Sequence, residues 1–309
     1  MLDGRVAIVT GGGAGLGRSH ARYLAERGAA VLVNDVGGQK DGRGTSDAAE
    51  IVAAEIRAHG GRAVGNASSV ADRAAAAAMV TQAIDELGGV DIVVANAGIV
   101  RDNLYDDYTE EDFRDLLGVH LHGSFWVTQA AYRVMKAQRY GRVVFTTSGS
   151  GLYGQPMSPG YVAAKAGVIG LLHSLAVEGR EHGVLANAIA PIAFTRMTAS
   201  AFGPEMERRT RPELVSALVA YLASEACAVT HEIYEVGAGT YSRVFIGRTA
   251  GVALDPMDDI TPETIATHLD AIRDTSRFSV PGDVMEMLSD VFAQRFEYGG
   301  AQRGGSAPD

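Results

Sequence analysis

The sequence predicts an α/β fold with a doubly wound parallel sheet of about seven strands, followed by a C-terminal helical extension. Two patterns predict it. Apolar runs of strand length alternate with helix-like segments from residue 5 to about 236, and a glycine-rich turn joins the first run to the first helical segment. Several runs are continuously apolar, as in strands whose two faces are both covered. Repeated strand–helix units build parallel sheets, whose ligands bind beyond the carboxyl ends of the strands.

The strands are placed at the apolar runs, the sixth of which is stopped by a proline. They are Val6–Thr10, Ala30–Asp35, Ala63–Asn66, Ile92–Asn96, Arg142–Thr147, Leu185–Ala190 and Glu232–Val236. Helical spacing predicts helices at approximately 15–27, 46–59, 71–87, 109–138, 159–179 and 212–223. Two connections stand out. Gly37–Ser46 is polar and glycine-rich, which is typical of a surface loop, and residues 192–211, with Met197, Phe202 and Met206, are a candidate substrate lid.

The glycine-rich turn Thr10–Gly17 lies between a strand and a helix, the context of a Rossmann-like dinucleotide site. Missing Cβ atoms let a pyrophosphate approach, and free N–H groups at the helix N-terminus bind it. Asp35 ends the second strand, where an acid accepts hydrogen bonds from the adenosine ribose. A tight turn without a ligand is the alternative, and Asp35 argues against it. Because Asp35 would repel a 2′-phosphate, we expect NAD rather than NADP, although Arg18 lies near the turn.

Tyr161 and Lys165 lie four residues apart in a predicted helix and so share one face, and Ser148 ends the fifth strand. A tyrosine is a poor base at neutral pH because its pKa is about 10. A neighbouring ammonium favours the phenolate, which can take a proton from a substrate hydroxyl. Ser148 can hold the substrate oxygen. A Tyr/Lys pair at this spacing often lies on a helix surface without a catalytic role. Here its position after a dinucleotide motif and a strand-end serine favours catalysis.

Four motifs together resemble the short-chain dehydrogenase/reductase family: Thr10–Gly17, Asn96-Ala97-Gly98, Ser148 and Tyr161-Val162-Ala163-Ala164-Lys165. The resemblance covers about residues 3–240 and implies an oxidoreductase that interconverts a secondary alcohol and a ketone. It implies catalysis by Ser148, Tyr161 and Lys165, and no metal. The cofactor-binding positions that it implies are Gly11, Gly15, Leu16, Gly17, Asp35, Ser68, Val70, Asn96, Ala97, Gly98, Tyr161, Lys165, Pro191 and Thr195.

Narrower matches, among them Val119–Phe125 and Tyr234–Gly239, resemble the (3R)-hydroxyacyl-CoA dehydrogenase part of type 2 peroxisomal multifunctional enzymes. That resemblance implies (3R)-hydroxyacyl-CoA or hydroxysteroid substrates, including steroid side-chain CoA thioesters. Two alternatives stay open: a short-chain reductase of an unrelated ketone or sugar-type alcohol, and a non-catalytic NAD-binding regulatory protein. Retention of Ser148, Tyr161 and Lys165 argues against the second alternative.

Three positions depart from the family's pattern. His120 stands where the family has a catalytic asparagine that holds a water in a proton relay through the lysine. A histidine can donate and accept, so it can serve such a relay or merely pack. Ser68 replaces the acid that contacts the adenine, and Ile192 replaces the glycine that commonly follows the Pro191 position. We therefore expect the adenine contact and the hinge of the lid to differ from those of the family.

The strand–helix alternation stops at Gly239. We assign residues 1–239 to an NAD-binding domain and residues 240–309 to an extension packed on or near the substrate side. Thr261-Pro262-Glu263 is typical of a helix start and opens a run to Ile272, and Asp283–Phe296 is a second helical run. We expect the tail after about residue 298 to be disordered. The extension would either shape the substrate end or only cap the core or a dimer.

Composition restricts the classes of function and of cysteine site that this protein can have. The net charge is −10, with 47% hydrophobic and 21% charged residues, which argues against nucleic-acid binding. Cys227 is the single cysteine, so an intramolecular disulfide and a cysteine zinc site are excluded. We expect no signal peptide and no membrane span, hence a cytoplasmic protein. The predicted helices 109–138 and 159–179 have apolar stretches on more than one face, which favours a homodimer or homotetramer, as does the resemblance.

Overall fold

The computed structural model describes residues 1–195, 204–255 and 257–293. The chain divides into two compact units, Met1–Val244 and a second from Phe245 onward. The first unit contains an eight-stranded sheet. Its strands are β1 (Val6–Thr10), β2 (Ala30–Asn34), β3 (Ala63–Asn66), β4 (Ile92–Ala95), β5 (Gly141–Thr146), β6 (Val184–Ile192), β7 (Ile233–Gly237) and β8 (Thr240–Val244).

The strand order is β3-β2-β1-β4-β5-β6-β7-β8, and all pairs are parallel except the last. This order confirms the predicted doubly wound sheet and all seven predicted strands. The eighth strand was not predicted. It follows β7 through a turn in which Ala238 and Gly239 both have positive φ, and its side chains are mostly exposed. An exposed edge strand has no apolar run, so the sequence pattern ended at Gly239 while the sheet continues to Val244.

Helices cover both faces of the sheet. They are α1 (Gly15–Ala25), α2 (Ala48–Ala58), α3 (Arg73–Leu87), α4 (Glu110–Leu116), α5 (Gly123–Gln138), α6 (Gly149–Tyr153), α7 (Pro159–Gly179), α8 (Pro204–Arg209) and α9 (Pro212–Leu222). Alternate residues of β1 enter two separate cores: Val6 and Ile8 pack on the side of α3, α5 and α7, whereas Ala7 and Val9 pack on the side of α1, α2 and α9. Both faces of the strand are therefore buried, which explains its continuously apolar sequence.

The predicted helix 109–138 is helical from Glu110 to Gln138, but it is not α-helical throughout. A turn of π-helix, Leu117–His122, separates α4 from α5. Such turns widen a helix locally and are frequent at functional sites. This one carries His120, which is buried. Within the predicted lid, Met206 lies on α8, whereas Met197 and Phe202 are outside the described residues.

The segment Pro159–His182 is, in the described part of the chain, the one helix that is long and apolar enough to cross a membrane by length and composition alone. No such stretch was expected from the sequence. Of its most apolar window, 44% is buried inside the protein, and Val168 and Leu172 belong to the core beside the sheet. Burial in that core accounts for the buried part of its apolar sequence.

In its described residues, the second unit contains two helices and a short antiparallel pair of strands. Its elements are β9 (Arg248–Thr249), α10 (Pro262–Arg273), β10 (Phe278–Ser279) and α11 (Val284–Ala293). The predicted helix start is confirmed: the Thr261 side chain accepts a hydrogen bond from the Thr264 N–H, and Pro262 opens the helix. The tail after residue 298 lies outside the described residues, and the placement of this unit on the substrate side stays a prediction.

Candidate active site

A cavity of about 970 Å³ lies along the carboxyl ends of the strands. The structure brings every residue that the sequence singled out for catalysis or cofactor binding to its wall. These residues are Gly11, Gly15, Leu16, Gly17, Asp35, Ser68, Val70, Asn96, Ala97, Gly98, His120, Ser148, Tyr161, Lys165, Pro191 and Thr195. Their shared location follows from the topology, because parallel strands end at the same edge of the sheet.

The glycine-rich turn is held tightly to the end of β4. A Cβ added to Gly17 would lie 2.0 Å from the carbonyl oxygen of Gly11 and 2.6 Å from Nδ2 of Asn96. Asn96 Nδ2 donates to the carbonyl oxygens of Thr10, at 3.0 Å, and Gly11, at 3.3 Å. The N-cap residue of α1, Ala14, offers no side-chain cap. First-turn N–H groups of α1 are therefore available to an anion.

Asp35 is oriented by the backbone on both sides. Its Oδ2 accepts from the Gly13 N–H at 2.9 Å, and its Oδ1 accepts from the Gly37 N–H at 2.7 Å. A carboxylate has about four acceptor sites, so it retains capacity for ribose hydroxyls. Arg18, the nearby cation, forms a bidentate pair with Glu55 at 2.8 and 3.2 Å. Its charge is thereby balanced by α2 rather than left to a phosphate.

The loop Gly37–Ser46 was predicted only as a surface loop, but it forms part of the cavity wall. Two contacts fix it: the Val100 N–H donates to the Lys40 carbonyl at 2.8 Å, and Arg101 Nε donates to the Asp41 carbonyl at 3.1 Å. The loop residues in the wall are Gly38, Gln39, Lys40, Gly42, Gly44 and Thr45. A polar, glycine-rich sequence is equally typical of a solvent loop, so composition carried no signal for this role.

Ser148, Tyr161 and Lys165 converge at one end of the cavity. Lys165 Nζ lies 5.7 Å from the centre of the Tyr161 ring and donates to the Thr146 carbonyl at 2.6 Å. Burial lowers the pKa of Lys165 to about 7. Burial also raises the pKa of Tyr161, and the negative charge of Asp102 raises it further. A hydrogen bond donated by Ser148 would lower this pKa. In the protein alone, Tyr161 is therefore a phenol at neutral pH.

His120 lies against Tyr161, with the two rings perpendicular and their centres 5.1 Å apart. Its Nε2 lies 2.7 Å from the Ile99 carbonyl oxygen and 3.1 Å from the Ile99 backbone nitrogen. Its Nδ1 is buried with no hydrogen-bond partner among the described residues. Burial, and secondly the charge of Lys165, lowers the pKa of His120 to about 3, so the ring is neutral.

Several polar residues of the same wall were not identified from the sequence, including Asp102, Ser150, Gln155 and Ser158. They lie on the loop after β4 and between β5 and α7, segments without apolar periodicity. Serine and glutamine at such positions are ordinary loop residues. Only the side-chain contacts distinguish them.

Comparison with known proteins identifies the family of this chain. The model of the short chain dehydrogenase family matches residues 5–205. The chain is 43% identical to mouse peroxisomal multifunctional enzyme type 2 over 94% of its own length and 39% of that protein. It is 42% identical to a hydroxyacyl-CoA dehydrogenase of Mycobacterium tuberculosis, over 74% of this chain and 75% of that one. The chain thus spans about two fifths of the mouse protein's length.

Solved structures similar to this chain include the following two. Full-length peroxisomal multifunctional enzyme type 2 from Drosophila melanogaster has a TM-score of 0.80 and 36% identity, covering 94% of this chain and 49% of that one. A 7α-hydroxysteroid dehydrogenase, complexed with NADH and a 7-oxo bile acid, has a TM-score of 0.69 and 30% identity, covering 77% of this chain and 94% of that one. The chain therefore belongs to the short chain dehydrogenase family.

Proposed function

We propose that the protein is an NAD-dependent oxidoreductase that interconverts a secondary alcohol and a ketone, acting on a (3R)-hydroxyacyl-CoA ester or a hydroxysteroid. One observation carries the proposal: Ser148, Tyr161 and Lys165 converge on the cavity that also holds the glycine-rich turn and Asp35. The relative named as a hydroxyacyl-CoA dehydrogenase and the structural neighbour named as a hydroxysteroid dehydrogenase support the substrate class.

The cavity fits a nicotinamide dinucleotide. The glycine at position 17 lets α1 pack directly against the turn, because a Cβ there would clash with Gly11, and Asp35, which would accept from a ribose, is held by the Gly13 N–H. Thr195 lies beside the turn, since a Cβ added to Gly15 would be 3.4 Å from its Cγ2. When bound, the nicotinamide ring supplies the site that accepts or donates a hydride.

The side chains of the reaction centre divide the proton chemistry. Tyr161 takes the proton of the substrate hydroxyl during oxidation and returns it during reduction. Lys165 favours the phenolate through its charge, and a phenolate beside it in turn favours the protonated amine. Ser148 donates a hydrogen bond to the reacting oxygen and stabilises the charge that develops there.

A substrate panel tests the proposal. Paired (3R)- and (3S)-hydroxyacyl-CoA esters, a 17β-hydroxysteroid and a sugar-type alcohol would each be offered with NAD, and NADH formation would be followed by absorbance. We expect turnover of the (3R) ester or the steroid, with little from the (3S) partner, because a fixed Tyr161 and Ser148 hold the oxygen on one face. Turnover confined to the sugar-type alcohol, or none with any of them, would refute it.

We expect NAD to be used with at least about tenfold higher kcat/KM than NADP, because a 2′-phosphate beside Asp35 places like charges together. Asp35→Ala should narrow that ratio. Asp47→Ala, which removes an exposed carboxylate outside the cavity wall, should leave it unchanged. Kinetics with both cofactors measure the ratio, and equal efficiency with NADP in the unaltered protein would contradict the expectation.

His120 is assigned to the proton relay in this proposal. His120→Ala should slow turnover several-fold and change its pH dependence. The substitution removes a neutral ring that contacts Tyr161 and whose Nδ1 has no partner in the unaltered protein. The pH profile of kcat measures this, and chemical denaturation gives the free energy of unfolding. If only the unfolding free energy changes, His120 serves packing alone.

We also propose that the protein assembles as a homodimer or homotetramer. On α5 and α7 the apolar side chains of Phe125 and Val177 are exposed in the single chain, at 37% and 42%. Paired helices would cover such residues. Light scattering at micromolar concentration tests this, and a monomer would contradict it.

A further inference from the structure

Five side chains beside the reaction centre form a continuous line of hydrogen bonds that the mechanism above does not use. Ser148 Oγ lies 3.3 Å from Ser150 Oγ, which donates to Gln155 Oε1 at 2.6 Å. Gln155 Nε2 lies 3.4 Å from Ser158 Oγ, which donates to Asp102 Oδ1 at 2.6 Å. All five residues line the cavity. We call them the polar chain.

The direction of each bond in the polar chain follows from the chemistry of its members. A carboxylate only accepts, so Ser158 gives its hydroxyl hydrogen to Asp102 and must accept from Gln155. The amide oxygen of Gln155 only accepts, so Ser150 gives its single hydrogen there. In the contact between the two serines, Ser148 must therefore be the donor. Gln155 also prevents proton transfer along the chain, because an amide does not ionise, so the chain can orient groups but cannot conduct protons.

The backbone around Ser158 is arranged to make this contact. Ser158 is the N-cap residue of α7, the helix that carries Tyr161, yet its side chain makes no cap hydrogen bond. A serine there would ordinarily accept from the first-turn N–H groups. Met157 before it has φ of +63°, unusual for a residue with a side chain, and its carbonyl accepts from the Asn103 N–H at 2.8 Å. The buried Ser158 hydroxyl therefore bonds to Asp102 instead of capping the helix N-terminus.

We propose that the polar chain directs the hydroxyl hydrogen of Ser148 away from Tyr161 and so keeps Tyr161 as the protonated phenol. This arrangement lasts until a substrate oxygen accepts a hydrogen bond from Ser148. The proposal rests on the proposed function, which gives Ser148 and Tyr161 their roles. Ser148 and Tyr161 line the same cavity, and a hydrogen bond donated by Ser148 would favour the Tyr161 phenolate. With its own hydrogen directed to Ser150, Ser148 does not make that donation. Gln155, Ser158 and Asp102 are then positioning residues, since they act through Ser148.

The charges around Tyr161 act alongside this geometry. Asp102 disfavours the phenolate and His120 is neutral, whereas Lys165 would favour the phenolate only while its amine is protonated. The other charged residues in the described part of the cavity wall are Asp35, Lys40, Arg101, Arg114 and Asp115. A variant that interrupts the polar chain without changing any of these charges isolates the hydrogen-bond effect. Gln155 is the suitable position, because it is uncharged and exposed.

The experiment is a pH titration of the protein labelled with ¹³C at the tyrosine Cζ, followed by NMR without cofactor or substrate. The Tyr161 signal is identified by its loss in Tyr161→Phe. In Gln155→Leu we expect Tyr161 to ionise at lower pH. Without the Gln155 oxygen, Ser150 need not accept the hydrogen bond from Ser148, so Ser148 can donate to the phenolate instead. Ser158→Ala should shift the titration in the same direction but by less. This substitution leaves Gln155 in place and only allows its side-chain amide to rotate by 180°.

Ser224→Ala is the matched control, because it removes a buried serine hydroxyl that donates to the Tyr221 carbonyl outside the cavity. Its Tyr161 titration should be unchanged. An unchanged or upward-shifted titration in Gln155→Leu would overturn the proposal, and the same result in Ser158→Ala would overturn it if Gln155→Leu does not fold. The titration requires no turnover, so failure of the substrate panel would refute the proposed function and leave this result interpretable.

Discussion

Tyr161→Phe is expected to lower kcat by on the order of 10²–10⁴-fold, the usual contribution of a positioned acid or base. The substitution removes only the hydroxyl, and the ring can still pack at right angles against His120, 5.1 Å away. Cofactor affinity and the free energy of unfolding should therefore change little. Turnover with the best substrate of the panel measures the first effect, and cofactor titration with chemical denaturation measures the other two.

Tyr105→Phe provides the control, because this tyrosine is 86% exposed and outside the cavity wall. It should behave as the unaltered protein does. Ser148→Ala should fall between the two in turnover and should also leave cofactor affinity nearly intact. If Tyr161→Phe keeps near-normal turnover, the proton-transfer role of Tyr161 is wrong, whatever the other variants show.

Much of the fold was predictable because its signals are local. Continuous apolar runs such as Val6–Thr10 reflect burial on both faces, and a glycine-rich turn reflects backbone atoms in close contact. The exposed edge strand β8 carries no such signal. The π-helical turn Leu117–His122 was also missed, because the sequence around it has ordinary helical periodicity and a single inserted residue leaves no mark on that pattern.

The residues of the site were predictable for a different reason. Tyr161, Lys165 and Ser148 are recognisable by spacing and by their order after the dinucleotide motif. The polar chain was not, because its five residues come from two loops and a helix start, and they meet only through side-chain orientations. The role of Gly37–Ser46 depended likewise on contacts with residues far along the chain, Val100 and Arg101. Sequence thus located the candidate catalytic groups, and the structure adds the groups that surround them.

Lys165→Met is expected to reduce turnover strongly and yet to raise the free energy of unfolding at neutral and acidic pH. Burial lowers the pKa of Lys165 from the usual 10.5 to about 7 in the folded protein. Between these values the unfolded chain holds more protons than the folded protein, so the stability of the unaltered protein increases with pH from about 7 to 10.5 and is lowest below 7. Methionine fills a similar volume without a charge, so it escapes this penalty.

Each unit of pKa shift corresponds to about 1.36 kcal/mol, so the gain at pH 6.5 should be on the order of a few kcal/mol, reduced by about 1 kcal/mol for the lost bond to the Thr146 carbonyl. Urea denaturation at pH 6.5 and pH 10 measures it, with Lys136→Met, an exposed lysine, as control. The gain should shrink at pH 10, where the lysine is largely neutral in the folded protein. A loss of stability equal at both pH values would contradict the prediction. In the proposed mechanism the charge of this buried amine favours the Tyr161 phenolate, so the group that destabilises the fold is one that catalysis would use.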